Sequence, residues 1–227
     1  MKGKTDMMGG LYRICEWIMR FSVINLLWFA FNIPIAYIVL NIFFINEIEN
    51  MVLFLIPLTI LLPVLFFPAT TAMFASARDW VMKEENTSIR DYWKYYKENY
   101  QKSFFGGLIL TGIWVIWAVD YYYFSRENII IMFAFLIMGI ILFVFTINFF
   151  SVISHYHLKL LAALKNTFII TIGSPVLFFT LLISSGITLY MTLNVFPLLF
   201  PFFTGSLVAY LSFSAFYRFY LKLTASS

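Results

Sequence analysis

A chain of 227 residues carrying a net charge of +4 is long enough for one or two soluble domains, yet 62% of it is hydrophobic and only 11% charged. Soluble domains run at about 45 to 50% and about 25%, so a water-solvated fold is excluded and lipid must be the solvent. The single cysteine, Cys15, excludes an intramolecular disulfide and a thiolate metal site, and it fits a reducing compartment.

In chain order, the basic stretch "MKGKTDMMGGLYRICEWIMR" comes first, and within 11–20 it places Leu11, Ile14, Cys15 and Ile18 on one helical face. The apolar run that follows, 21–45, is too long for a signal-peptide core of about 7 to 15 residues, so it is expected to remain as a first transmembrane helix. A second crossing covers 51–77. Pro57, Pro63 and Pro68 interrupt it, and each frees a carbonyl one turn earlier, so a bend or local unwinding is expected around "FFPATTAMFASA". Ala69, Ala72, Ala75 and Ser76 give this helix a small-residue face that permits close approach of a neighbour.

Eleven of the twenty-six charged residues then fall between Arg78 and Lys102. Ile89, Tyr92, Trp93, Tyr96 and Tyr100 share one helical face, while Arg90, Asp91, Lys94, Lys97, Glu98 and Gln101 take the other. Ser88 with Asp91 offers a capping-box start after the polar turn "EENTS". The segment 88–102 reads as an amphipathic helix on the cytoplasmic membrane surface, where Arg90, Trp93, Lys94, Lys97 and Lys102 would meet anionic lipid or a partner protein. Crossings at 103–124 and 128–153 follow. A third amphipathic segment, 156–166, carries Leu158, Leu161, Ala162 and Leu164 on one face and precedes crossings at 167–190 and 194–217, the last holding Pro197 and Pro201.

The expected fold class is therefore all-α: a polytopic transmembrane bundle of six helices with amphipathic elbows, forming one domain over 1–227. An elbow, an outward crossing, a short turn and an inward crossing occur three times, the pattern of a threefold parallel repeat. With six crossings, fourteen of the fifteen Lys and Arg residues fall on one side and Arg126 alone on the other. Cations resist translocation, so both termini are expected to be cytoplasmic in a bacterial cell membrane.

No nucleotide-binding loop, dinucleotide fingerprint or metal-ligand cluster is present, so no catalytic, cofactor-binding or metal residue is assigned, and an enzyme is not expected. His155 and His157 are two apart, on different faces of a helix, which suits interfacial hydrogen bonding better than joint metal binding. Carboxylates at membrane depth are missing, which disfavours proton coupling. Asn25, Asn32 and Asn148, with Thr70 and Thr71, either join helices by hydrogen bonds or line a path for an uncharged solute. The interleaving of Tyr and Lys near residue 95 is membrane-interface chemistry and calls for no nucleic acid.

The stretches "NLLWFAFNIP" (25–34), "FFPATTAMFASARDWV" (66–81), "SIRDYWKYYKENYQKSFFGGLIL" (88–110) and "LAALKNTFIITIGSP" (161–175) together resemble the YesL-like family of bacterial membrane proteins, a family of unknown function. The most specific piece is Pro68-Ala69-Thr70-Thr71-Ala72-Met73, where Phe67 stands in place of an expected glycine. The resemblance implies an accessory or regulatory partner of a carbohydrate ABC uptake system, docking on its permease subunits. The alternative is a transporter or channel for a small uncharged solute such as a sugar. Small-residue faces are compatible with an oligomer.

Overall fold

The computed structural model describes residues 2–44, 48–82, 88–126 and 128–225. The polar turn expected at 84–87 and the outer-loop carboxylates Glu47 and Glu127 lie outside the described residues. No strand occurs among the described residues, and six of their helices are long and apolar enough to cross a membrane. These are Tyr12–Phe31, Leu53–Met82, Ile89–Phe124, Ile129–His155, Pro175–Val195 and Phe200–Ala225. The all-α, six-span architecture follows from the sequence because hydrocarbon leaves every backbone polar group to be satisfied within its own helix.

The helices are α1 (Lys2–Phe31), α2 (Ile33–Phe44), α3 (Ile48–Leu61), α4 (Phe67–Met82), α5 (Ile89–Phe124), α6 (Ile129–His155), α7 (Leu160–Gly173), α8 (Pro175–Tyr190) and α9 (Gly205–Ala225). Their breaks differ from the expected boundaries in instructive ways. The segment 11–20 is not a separate elbow but part of α1, and the first crossing breaks at Asn32, whose Nδ2 turns back to the Trp28 carbonyl at 2.7 Å just before Pro34. The second crossing is irregular at a single π turn, Leu62–Phe66, which contains Pro63. The irregular turn thus lies just before "PATTA", which is itself regular helix.

The segment 88–102 is likewise no separate elbow. Ser88 and Asp91 form the expected capping box, and the helix then runs unbroken for 36 residues to Phe124. At 1.5 Å per residue this is about 54 Å, against a hydrocarbon core of ~30 Å, so a helix continuous with the crossing extends well beyond it. The charged residues Arg90 to Lys102 mark which end does so. The third elbow is different: Tyr156 to Lys159 are not helical, α7 joins the rest of 156–166 to the first seven residues of the expected fifth crossing, and the break comes at Ser174. There the Ser174 hydroxyl accepts from Leu177 N–H and Pro175 takes the first helical position. The helices long and apolar enough for the fifth and sixth crossings are Pro175–Val195 and Phe200–Ala225, against expected crossings at 167–190 and 194–217. Two segments continuous with their crossings and a third broken from its own do not make a regular repeat.

Between α8 and α9, a turn at Phe196–Leu199 is flanked by π turns at Met191–Val195 and Phe200–Thr204, and the Thr192 and Thr204 hydroxyls meet at 2.7 Å across it. The core lies around α4. Ala69, Thr71, Ala72, Ala75, Ser76 and Ala77 of that helix are inaccessible or nearly so, and Phe74, Phe149, Phe150, Phe213 and Phe216 pack about it. Large apolar side chains such as Phe43, Ile130 and Val176 point outward, as lipid requires.

Candidate functional site: the α4–α5 junction

Of the polar residues singled out by the sequence, Thr70 and Thr71 lie on α4, and each receives a hydrogen bond from another helix. Small side chains let α5 approach its neighbours closely: a Cβ at Gly106 would stand 2.1 Å from Cζ of Phe149 on α6, and one at Gly107 would stand 2.7 Å from Cγ of Phe67 on α4. The same Phe67 that replaces the expected glycine thus fills the space over Gly107. Within this contact Ser103 donates to Thr71 Oγ1 at 2.8 Å, Thr71 donates to its own helix at the Phe67 carbonyl, and Tyr92 donates to the Ala69 carbonyl at 3.0 Å. From the other side, Trp28 Nε1 of α1 donates to Thr70 Oγ1 at 2.9 Å. Pro68, Ala69, Thr70, Thr71 and Ala72 are all buried, and hydrogen bonds from α1 and α5 end on this stretch.

At its end α4 carries a charge pair, Arg78 and Asp79. Arg78 Nη2 and Nε lie 3.0 and 3.1 Å from Asp79 Oδ1, Arg78 Nη1 donates to the Ser154 carbonyl of α6 at 2.6 Å, and Tyr95 of α5 donates to Asp79 Oδ2. The guanidinium also lies 5.3 Å from the centre of the Tyr95 ring. Asp79 is 4% exposed, so this pair ties α4, α5 and α6 in a setting where an unpaired charge would be costly. An arginine and an aspartate side by side at the end of a small-residue apolar helix is the signal that could have revealed it.

The expected pathway residues are not gathered into one lining. Asn25 Nδ2 donates to the Phe200 carbonyl at 2.9 Å and its Oδ1 accepts from Ser206 N–H at 2.9 Å, joining α1 to the start of α9. Asn148 Nδ2 donates to Thr171 Oγ1 at 3.0 Å, joining α6 to α7, and Asn32 bonds within its own helix break. An apolar cavity beside α4, about 570 Å³, is walled by Trp28, Phe66, Met73, Trp114 and Phe150, with Thr70 already engaged by Trp28.

The docking set is brought together only in part. Phe31 of α1 stacks on Tyr96 at 4.7 Å, Trp93 stacks parallel to Tyr96 at 5.5 Å, and Lys97 Nζ lies 5.0 Å from the Trp93 ring. Tyr92 is 1% exposed. The aromatic face expected to rest on lipid headgroups is thus turned partly into the bundle, because α5 continues into its crossing instead of bending flat. Arg90, Trp93, Lys94 and Lys97 remain exposed, Lys94 is loosely paired with Glu98 at 4.0 Å, and Lys102 is half-buried. Ser88 hydrogen bonds, first from its side chain and then from its backbone, hold the Asp91 carboxyl below its usual range. His155 sits among aromatic rings, with Tyr156 and Tyr220 each at 4.7 Å, and among the described residues no group of three metal-ligating side chains assembles.

Fold and junction define the class: an all-helical polytopic membrane protein whose polar groups hold the bundle together. Residues 21–121, which span α1 to α5 and hold the whole α4–α5 junction, match a family described as "Protein of unknown function, DUF624". The chain is 27% identical to the uncharacterized protein YteU of Bacillus subtilis (strain 168) over 220 residues, 95% of this chain and 87% of that one. It is 26% identical to YesL of the same organism over 214 residues (91% and 90%), and 26% identical to YesV over 210 residues (88% and 86%). The YesL-like resemblance carried by its motifs therefore holds along nearly the whole chain. No solved structure matches it.

Proposed function

We propose that this protein is a non-enzymatic accessory subunit of a bacterial cell membrane, with both termini cytoplasmic, that docks on a transport system through the cationic, aromatic start of α5. The observation that carries this reading is how its polar groups are engaged. Thr70, Thr71, Ser103, Asn25 and Asn148 each bond across helices, whereas Arg90, Trp93 and Lys94 stay on the surface. A protein whose interior is occupied in holding itself together has its surface left for work. Basic residues there also favour anionic lipid, at ~1 kcal/mol per cation near the headgroups.

Support for the orientation comes from the fourteen-to-one division of Lys and Arg. Support for a carbohydrate ABC permease as the partner comes from the family resemblance alone. The competing reading is a conduit for a small uncharged solute such as a sugar, and the apolar walls around α4 are poorly suited to hydroxyl-rich cargo. Proteoliposomes separate the two: vesicles holding the purified protein should pass radiolabelled maltose no faster than empty ones, and saturable uptake would favour the conduit.

A further inference from the structure

Where α1 meets α9, a second cavity of about 510 Å³ opens at a part of the molecule that the docking role does not use. Three guanidinium groups line it, Arg13 and Arg20 from α1 and Arg218 from α9, with one carboxylate, Glu16, so the lining keeps an excess of two positive charges. The helical period explains the convergence, since positions 13, 16 and 20 are spaced i, i+3 and i+7 along one face of α1. Trp17, Tyr210 and Trp80 supply rigid walls, with Trp17 meeting Tyr210 edge-on at 5.4 Å and Trp80 at 6.4 Å.

Two buried donors in this lining have no acceptor. The Arg20 side chain is 10% exposed; its Nη2 donates to Glu16 at 2.7 Å and its plane lies 5.0 Å from the Trp17 ring centre, yet its Nε has no partner. Trp80 is 2% exposed, and its indole N–H is equally unsatisfied. Buried donors are almost always paired, so these two mark what the cavity is missing: acceptor oxygens. The surplus of positive charge requires that those oxygens be anionic, and planar guanidinium forks match the tetrahedral oxygens of phosphate.

We propose that this cavity binds a phosphate group, with Arg13, Arg20 and Arg218 as its charged ligands and Trp80 as a neutral donor. The inference rests on the cavity alone and stands whether or not the protein docks on a transporter. Arg13 is the second residue of the first span and Arg218 lies seven residues from the end of the last, so the phosphate of a lipid headgroup can reach the site as readily as a soluble phosphate.

The test uses the full chain purified in dodecyl maltoside. Inorganic phosphate is titrated calorimetrically, and dioleoylphosphatidylglycerol is added to mixed micelles and counted by native mass spectrometry, with dioleoylglycerol as the phosphate-free control. One saturable site is expected for at least one phosphate-bearing probe, weakened at least tenfold by Arg13→Gln and by Arg218→Gln. Glu16→Gln, which removes the competing carboxylate, should tighten binding at least threefold, a gain that misfolding cannot mimic. Lys94→Gln, remote from the cavity, should change nothing. Binding of the lipid alone identifies a headgroup as the source, and binding of inorganic phosphate alone identifies a soluble one; either supports the site. No saturable binding of either probe, or binding indifferent to the cavity variants, overturns it.

Discussion

Arg78 and Asp79 are chain neighbours whose side chains close an ion pair of 3.0 Å at the buried end of α4. Neighbours on a helix do not ordinarily face each other, and this pair meets because Ser154 draws the guanidinium toward α6 while Tyr95 holds the carboxylate from α5. Removing one partner leaves the other charge buried. Asp79→Ala and Arg78→Ala should each destabilise the protein by about 3 kcal/mol or more, and the double variant should lose less than the sum. Thermal unfolding in detergent, read as a double-mutant cycle, checks both statements.

Helix approach at the same junction depends on two glycines. Gly107→Ala drives a methyl into Phe67 Cγ, and Gly106→Ala drives one into Phe149, which has no room to withdraw because it is fully buried. Each should cost roughly 1 to 3 kcal/mol. Gly112 of the same helix has open space at its Cβ, so Gly112→Ala should be neutral or slightly stabilising. Equal losses at all three positions would refute close packing of α5 against α6 at Gly106 and against α4 at Gly107 as the reason for the glycine pair.

Thr71 links Ser103 to the Phe67 carbonyl, and Thr70 accepts the Trp28 indole. Replacing either by Val keeps the shape and removes the oxygen, so stability should fall by about 1 kcal/mol with no change in vesicle permeability. A flux change at unaltered stability would place these hydroxyls on a solute path instead.

The exposed Cys15 is the only thiol in the chain and reports orientation directly. A membrane-impermeant maleimide should label it in inverted vesicles and leave it unlabelled in intact protoplasts. The opposite pattern would reverse the expected topology.

Six spans were legible because hydrocarbon imposes about 20 apolar residues on each crossing, a constraint written directly into composition. Their limits were less so. Hydropathy treats Ser174-Pro175 as part of one apolar run, whereas a hydroxyl cap and a missing N–H end one helix there and begin another. The helix start at Ser88 and Asp91 was legible, yet periodicity cannot say whether an apolar face meets lipid or protein, and Phe31, 61 residues before Tyr92, takes much of this one. Asn25 had been grouped with Asn32 and Asn148 by residue type; only the fold shows that it holds Ser206, 181 positions away. Arg13 and Arg20 are i and i+7 on one helical face, but only the fold brings Arg218 into the same cavity.

The central claim, that the surface at the start of α5 docks on a transport system, is tested most directly by purifying the tagged protein from native membranes in mild detergent and quantifying co-purifying proteins by mass spectrometry. Permease subunits of an uptake system should be recovered at near-stoichiometric amounts and be lost when Lys94, Lys97 and Lys102 are replaced by Glu in a variant that still folds. Recovery of the protein without permease subunits, or recovery of those subunits unchanged in the triple variant, would contradict the account.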